Sequence, residues 1–176
     1  NDSVIKDIKF EFNPNTKIVS YQGKILKLPV KNHYFLVNKP SGYICSRLNS
    51  QEKEFGKKSI FELFEYQLSK NIYQSLVTVG RLDEDTTGLL LVTTDGKIVD
   101  KITNPKNHIQ KKYLVKTDLE ISEEEIAAIR KGIAIRIVEE YHTEEYISRP
   151  AGIALQDVDL AILTIDEGKK RQIRRM

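Results

Sequence analysis

The fold of this chain is decided by the stretch Gly80-Arg81-Leu82-Asp83-Glu84-Asp85-Thr86-Thr87-Gly88-Leu89-Leu90-Leu91-Val92-Thr93-Thr94-Asp95-Gly96. An apolar run before it, at residues 76–79, predicts a buried strand, and the apolar run that begins at Gly88 predicts a second strand. A polar loop held between two core strands is a rigid mount for a reactive side chain. The alternative, on the residues alone, is a surface turn with solvated acids.

This stretch resembles the motif G-R-L-D-x-x-T-x-G-L-L-L-x-T-x-D-G at nearly every position, a signature of the RsuA-like family of ribosomal RNA pseudouridine synthases. The aspartate of that motif is the family's essential catalytic residue, so the resemblance implies that Asp83 is catalytic. The arginine of the motif fills the space that the target base vacates, which the resemblance assigns to Arg81. On the residues alone, Arg81 is equally suited to brace the loop internally. Glu84 and Asp85 are interpreted as loop acids because the family pattern varies there.

Three further landmarks of the family follow in the family's order. A predicted strand followed by Asn38-Lys39-Pro40-Ser41-Gly42 resembles the N-K-P-x-G block, and Lys111-Lys112-Tyr113-Leu114-Val115 resembles the K-x-Y-x-V strand. Residues 167–176 resemble the run E-G-x-x-x-Q-[IV]-[RK]-R-M. The resemblance covers residues 34–176 and implies an α+β fold with a long, bent, mostly antiparallel sheet and flanking helices.

The chemistry that the resemblance implies needs only side chains. Pseudouridine formation breaks the N1–C1′ bond of uridine, turns the base over and rejoins it through C5. A carboxylate can act at the sugar, as in glycoside chemistry, and another group must remove the C5 proton. The resemblance makes Asp83 the catalytic carboxylate, as nucleophile or as base, and it places Tyr113 against a uracil that has left its stack, with the hydroxyl as a relay for the proton. It also assigns Arg174 to Asp83, through hydrogen bonds of about 3 Å.

Ribosomal RNA is the partner that the resemblance implies, and lysine and arginine side chains bind phosphates. The net charge is only +3, so the placement of these residues matters more than their sum. Lys39 could equally be an ordinary exposed lysine. The candidate RNA-binding residues are Arg81, Lys39, Lys111, Lys169, Lys170, Arg171 and Arg175.

Composition limits the other possibilities. The chain has 176 residues, of which 40% are hydrophobic, and this suits one α/β or α+β domain with an attached fragment. Cys45 is the only cysteine and the three histidines are far apart, so neither an internal disulfide nor a zinc site is expected. No nucleotide-binding glycine loop occurs, and no cofactor is predicted. Without a secretory signal or a membrane-spanning run, we expect a cytoplasmic protein. Separately, we expect it to be a monomer.

Residues 1–32 predict short strands at 16–21 and 25–28, too few for a core of their own. The resemblance implies that they are the C-terminal remnant of an S4-like RNA-binding domain and its linker. It implies that residues 33–176 are the pseudouridine synthase catalytic domain, truncated at its C-terminus.

Local patterns within the second domain give further expectations. Residues 49–58 predict a mobile polar loop, residues 59–68 an amphipathic helix, and residues 97–102 a short helix capped by Asp95. A capping box at Ser122 predicts a helix that ends at Gly132. Residues 139–148 predict a polar excursion from the sheet.

Two other functions fit parts of the sequence. A non-catalytic RNA-binding module would use the same basic residues, but it has no need of Asp83, Tyr113 and Arg174 together. Another carboxylate enzyme, such as a nucleosidase, would require a second placed acid, and none stands out. The ribosomal subunit stays open, because residues 34–46 and 149–151 look like small-subunit members of the family, whereas residues 171–176 look like large-subunit members.

Overall fold

The computed structural model describes residues 4–7, 9–13, 17–26, 31–139 and 142–176. The chain divides into two compact units, Asn1–Asn32 and His33–Met176. None of the helices in these described ranges is long and apolar enough to cross a membrane.

The smaller unit contains one antiparallel hairpin in its described part, formed by β1 (Ser20–Tyr21) and β2 (Lys24–Ile25). Gln22 and Gly23 close it with φ values of 49° and 74°. Two consecutive positive φ angles make the two-residue turn that matches the twist of a hairpin. The strands are shorter than predicted, and residues 16, 27 and 28 of the prediction lie outside the described residues.

The larger unit alternates short strands and short helices along the chain. In order they are β3 (Tyr34–Lys39), β4 (Tyr43–Ile44), α1 (Ser50–Glu54), β5 (Lys58–Ser59), a 3-10 helix (Ile60–Phe64), α2 (Lys70–Ser75), β6 (Val77–Val79), β7 (Gly88–Thr93), α3 (Gly96–Thr103), a 3-10 helix (Pro105–Asn107), β8 (Lys111–Lys116), α4 (Glu123–Lys131), β9 (Ala134–Glu139), β10 (His142–Ile147), β11 (Gly152–Asp157) and β12 (Leu160–Ile165).

Two antiparallel three-stranded sheets carry the main features, in the orders β3-β7-β6 and β11-β12-β8. β9 and β10 form an antiparallel hairpin, and β4 pairs with β5 in parallel. The helix α3 packs beside β6, and α4 packs beside β11. The predicted α+β class with mostly antiparallel strands is confirmed, whereas the strands of the described residues lie in separate small sheets instead of one long sheet.

Apolar side chains from both sheets form two hydrophobic clusters. The first surrounds Ile60, Leu76 and Val92, which are almost wholly buried, and the second surrounds Leu163 and Ile165 on β12. Strand β12 shows the strict alternation of buried and half-buried residues expected for a central strand. The clusters therefore lie against β7 and β12, the middle strands of the two sheets.

Several local predictions were wrong for identifiable reasons. Residues 49–58 contain α1, because Asn49 and Glu52 form a capping box at its start. The helix predicted at 59–68 is only a 3-10 turn, and Tyr66 beyond it is 94% exposed. The described part of residues 139–148 contains β10, which pairs with β9 as an antiparallel hairpin. The strand predicted as buried at 76–79 is the edge strand β6, with Val77 exposed.

The helical predictions after the central motif are confirmed. Asp95 caps α3 by accepting a hydrogen bond from the Lys97 amide at 3.0 Å. Ser122 and Glu125 form the predicted capping box of α4. Gly132 ends α4 with a φ of 98°, which side chains other than glycine rarely adopt. A Cβ at Gly132 would also collide with the carbonyl oxygen of Ser148.

We predict that Gly132→Ala lowers the free energy of unfolding by about 2–3 kcal/mol, because it combines backbone strain with a collision against main chain. Urea denaturation measures the change. Gly96→Ala is the control, because Gly96 has no neighbouring atom within 4 Å of the added methyl group and no positive φ. That variant should be neutral or more stable by up to ~1 kcal/mol. If Gly132→Ala and Gly96→Ala changed the free energy of unfolding equally, the strained backbone and close contact assigned to Gly132 would be contradicted.

Candidate active site

Asp83 begins a tight turn in the loop between β6 and β7. The Thr86 amide donates a hydrogen bond to the Asp83 carbonyl at 3.0 Å, which closes the four-residue turn. Leu82 packs against the first hydrophobic cluster and anchors the loop from inside. The Asp83 side chain is 36% exposed, so its carboxylate is available at the surface of an anchored turn.

Lys39 lies beneath this turn at the end of β3, and it is fully buried. Its ammonium donates hydrogen bonds to the carbonyls of Glu84 and Thr86, both at 2.9 Å, and to the carbonyl of Pro40 at 3.0 Å. Burial lowers the pKa of Lys39, and the charges of nearby acids, including Asp83, oppose that effect. The prediction that Lys39 contacts RNA is wrong, because its ammonium has no exposed surface and is occupied by the main chain.

The three acids of the turn meet different cations. Glu84 forms an ion pair with Lys57, with Nζ–Oε distances of 2.6 and 2.8 Å. Asp85 lies between Arg171 and Arg174, with an Nη2–Oδ2 distance of 3.9 Å to each. These pairs are largely solvent-exposed, so each contributes little to stability.

Arg174 also faces Asp83, as the sequence predicts, but at a longer distance. Its Nε atom lies 4.0 Å from the Asp83 Oδ2 atom. That separation is a contact between opposite charges and not the predicted hydrogen bond of about 3 Å. Arg174 divides its guanidinium between Asp83 and Asp85, which explains why it does not close on Asp83 alone.

A buried polar network sets the loop that carries Arg174. Glu167 is 6% exposed, and its carboxylate accepts hydrogen bonds from the Tyr146 hydroxyl at 2.6 Å, the Gln172 amide group at 2.6 Å and the Arg149 main chain at 3.0 Å. Gln172 in turn accepts from the Lys169 amide at 2.9 Å. The E-G-x-x-x-Q pattern therefore has a structural cause, because Glu167 and Gln172 close the loop on each other.

Tyr113 lies on β8 opposite Leu163 of β12 and is half-buried against the second hydrophobic cluster. Burial raises the pKa of its phenol, and the negative charge of Asp83 raises that pKa further. Asp83 and Tyr113 are thus close enough to interact electrostatically, although they are thirty residues apart in sequence. At neutral pH Tyr113 is a neutral phenol, which can stack or donate a hydrogen bond but is a poor base.

The remaining candidate RNA-binding residues are distributed differently. Arg171 faces the turn through Asp85, whereas Lys169 lies over the Tyr146 ring at 4.1 Å and pairs with Glu144 at 3.2 Å. Arg175 donates to the carbonyl of Lys170 at 2.8 Å, and Lys111 donates to that of Ile109 at 3.2 Å. Arg81 is exposed at the start of the loop.

Sequence reasoning missed two participants in this site. The sequence identifies Asp85 only as a loop acid, but the structure places it 3.9 Å from both Arg171 and Arg174. The buried Glu167 carried no chemical signal beyond its place in a motif. In the described ranges, no group of three or more His, Cys, Asp or Glu side chains is placed to hold a metal ion.

Comparison with known proteins gives one consistent result. The family model described as RNA pseudouridylate synthase matches residues 33–176. The chain is 32% identical to ribosomal small subunit pseudouridine synthase A of Salmonella typhimurium, over 98% of this chain and 68% of that protein. It is 32% identical to the same enzyme of Haemophilus influenzae, over 100% of this chain and 69% of that protein.

The architecture gives the same result. A solved structure described as a pseudouridylate synthase superposes with a TM-score of 0.69 at 31% sequence identity. The superposition covers 99% of this chain and 68% of that one.

We predict that Tyr113 deprotonates at a higher pH than an ordinary tyrosine, and that Asp83→Asn moves this transition to lower pH by removing a negative charge. The measurement is a spectrophotometric titration of phenolate, with Tyr113→Phe identifying the signal. Glu84→Gln is the control, because it removes a charge from the same turn that does not contribute to the Tyr113 shift. If the phenolate titration of Tyr113 is unchanged in Asp83→Asn, the two residues do not interact electrostatically.

Proposed function

The chain belongs to the RNA pseudouridylate synthase family, and on that premise we propose that it converts uridine to pseudouridine in the ribosomal RNA of the small subunit. Membership of the family makes it an enzyme and sets aside the non-catalytic RNA-binding module. The ribosomal substrate is supported by relatives at 32% identity that are named for the small subunit. These relatives favour the small subunit over the large-subunit alternative that residues 171–176 keep open.

One observation carries the catalytic assignment. The Asp83 carboxylate stands half-exposed on an anchored turn, 4.0 Å from the Arg174 guanidinium and within electrostatic reach of Tyr113. Three elements distant in sequence therefore converge on one carboxylate. Such convergence is what a reaction at a single nucleotide requires.

The proposed reaction proceeds without gain or loss of atoms. The N1–C1′ bond breaks, the uracil rotates, and a C5–C1′ bond forms. The proton leaves C5, and N1 carries a proton in the product. Asp83 supplies the carboxylate, and Arg174 keeps it ionised in the partly dry pocket that a flipped base creates. Tyr113 packs its neutral ring against the uracil and directs its hydroxyl to the proton transfer.

The basic side chains near the turn suit the phosphates around the target uridine. Arg171 and Arg174 face the loop, and we propose that RNA phosphate replaces Asp85 as the partner of Arg171. Arg81 is exposed at the start of the loop, where it can fill the space that the base leaves. Lys111, Lys169, Lys170 and Arg175 provide further contacts, whereas Lys39 is excluded by its burial.

The unit Asn1–Asn32 is proposed to be the end of an S4-like RNA-binding domain. Its hairpin of β1 and β2 is compatible with that assignment, and lysines are frequent along it. The unit His33–Met176 is proposed to be the catalytic domain, active as a monomer.

We predict that Asp83→Asn abolishes turnover, with a loss on the order of 10³-fold or more in single-turnover rate, because the amide cannot act as a nucleophile or base. RNA affinity should stay near wild type. Glu84→Gln is the control, because Glu84 pairs with Lys57 away from Asp83 and should alter the rate by less than about threefold. A near wild-type rate for Asp83→Asn would overturn the assignment. Mapping of pseudouridine in both ribosomal RNAs, with and without the gene, tests the choice of subunit.

We also predict that Tyr113→Phe slows the release of tritium from 5-labelled uridine in RNA by roughly 10²-fold, because the ring is kept and the hydroxyl is lost. Tyr66→Phe, which alters a tyrosine that is 94% exposed, is the control and should leave the release unchanged. If the wild type, Tyr113→Phe and Tyr66→Phe released tritium at the same rate, the Tyr113 hydroxyl would have no part in the proton transfer and Tyr113 would be a core residue only.

A further inference from the structure

Lys39 has a buried charge whose role neither RNA contact nor chemistry at the base explains. All three protons of its ammonium point at main-chain carbonyls, those of Pro40, Glu84 and Thr86. The Glu84 carbonyl accepts a second hydrogen bond, from the Gly42 amide at 2.9 Å. The turn that carries Asp83 is therefore tied to the end of β3 by Lys39 and to the segment after β3 by Gly42.

The position of Lys39 in the sheet makes this tie rigid. Lys39 pairs with Gly88 in the register of β3 and β7, so the last pair of the ladder lies directly at the base of the loop. Residues 83–86 stand above that pair, closed by the hydrogen bond from the Thr86 amide to the Asp83 carbonyl. Two carbonyls of the same turn, at Glu84 and Thr86, converge on one ammonium between the strand ends.

Burying the Lys39 ammonium in this way is unfavourable in free energy if its only role is to stabilise the fold. A buried ammonium loses its hydration, and an apolar side chain of similar volume often stabilises a core as well or better. A compact cation with three donors is, however, well suited to collecting three carbonyls at one point. It also places a positive charge below the turn that holds Asp83, Glu84 and Asp85.

We propose that Lys39 is a positioning residue for the reaction: its ammonium fixes the turn that presents the Asp83 carboxylate. The inference rests on the proposed function and adds to it a residue that acts through the turn without touching RNA. The charged and titratable groups facing Lys39 are Cys45, Asp83, Glu84 and Asp85.

The test compares Lys39→Met, Lys39→Arg and Lys57→Met in single-turnover reactions on small-subunit ribosomal RNA across pH, together with RNA affinity. Lys39→Met should lower the rate by roughly 10²-fold, since a small displacement of a catalytic group has that effect. Its RNA affinity should change by less than about threefold, and the acid limb of its pH–rate profile should move to higher pH.

Lys39→Arg separates charge from geometry. The guanidinium keeps the positive charge, but its planar fork cannot meet three converging carbonyls. We expect a reduced rate with the acid limb at the wild-type position. Lys57→Met removes a cation that contacts the same turn from its exposed side through Glu84, and its rate and profile should match wild type.

Two outcomes would overturn the proposal. One is a Lys39→Met rate within threefold of wild type with an unchanged profile. The other is a loss of RNA affinity that accounts for the whole loss of rate, which would make Lys39 an RNA contact. A wild-type protein without activity on any ribosomal RNA would refute the proposed function instead, so the two failures are distinguishable.

A measurement on the Lys39 side chain itself decides the matter if Lys39→Met fails to fold. In nuclear magnetic resonance spectra of the otherwise wild-type protein, the Lys39 ammonium protons should exchange slowly with water. Asp83→Asn should lower the pKa of Lys39, because the Asp83 charge favours the ammonium form. The positioning role of Lys39 would be refuted if its ammonium protons exchanged rapidly with water and if its pKa were the same in Asp83→Asn as in the wild type.

Discussion

The hydrogen bonds from Lys39 to the turn of residues 83–86 are the constraint on which the candidate site depends. A four-residue loop turn has little packing of its own, and exposed loops are the mobile part of most folds. Here the turn is closed by its own hydrogen bond, anchored by Leu82 in the core, and held from below by a buried ammonium. The Asp83 carboxylate therefore stands at the surface on a backbone that is held from three sides.

The second half of the site uses the same principle with the opposite charge. The buried Glu167 carboxylate accepts three hydrogen bonds and fixes the loop that carries Arg174. The hydrogen bond to Glu167 is also the main cause that raises the pKa of Tyr146, so that phenol keeps its proton and remains a donor. A buried cation shapes one loop and a buried anion shapes the other. Both are satisfied mainly by main chain and neutral groups, and buried, fully satisfied polar networks rigidify the structure around them.

Between these fixed loops the functional charges are only loosely paired. The separations of 3.9–4.0 Å from Arg171 and Arg174 to Asp85 and Asp83 leave room for another anion. An arginine locked in a short bidentate pair would have to break it before it could meet a phosphate. Loose pairing places cations beside the acids of the turn and, under the proposed function, leaves the guanidinium groups available for RNA phosphates.

The sequence by itself determined the family, the candidate aspartate and two of the four α-helices in the described residues, α3 and α4, because these depend on local patterns. The long motif around Asp83 and the capping box at Ser122 can each be identified from a short stretch of sequence. The capping box at Asn49 is equally local, although the sequence analysis does not include it. The tertiary structure alone decided that Lys39 is buried, that Asp85 shares Arg174, and that Glu167 organises the second loop. Each of these facts depends on partners distant in the chain, such as Lys39 with Thr86 and Glu167 with Tyr146. A lysine after a strand reads as exposed in any sequence, because burial becomes favourable only where three carbonyls converge, and that convergence exists only in the folded chain.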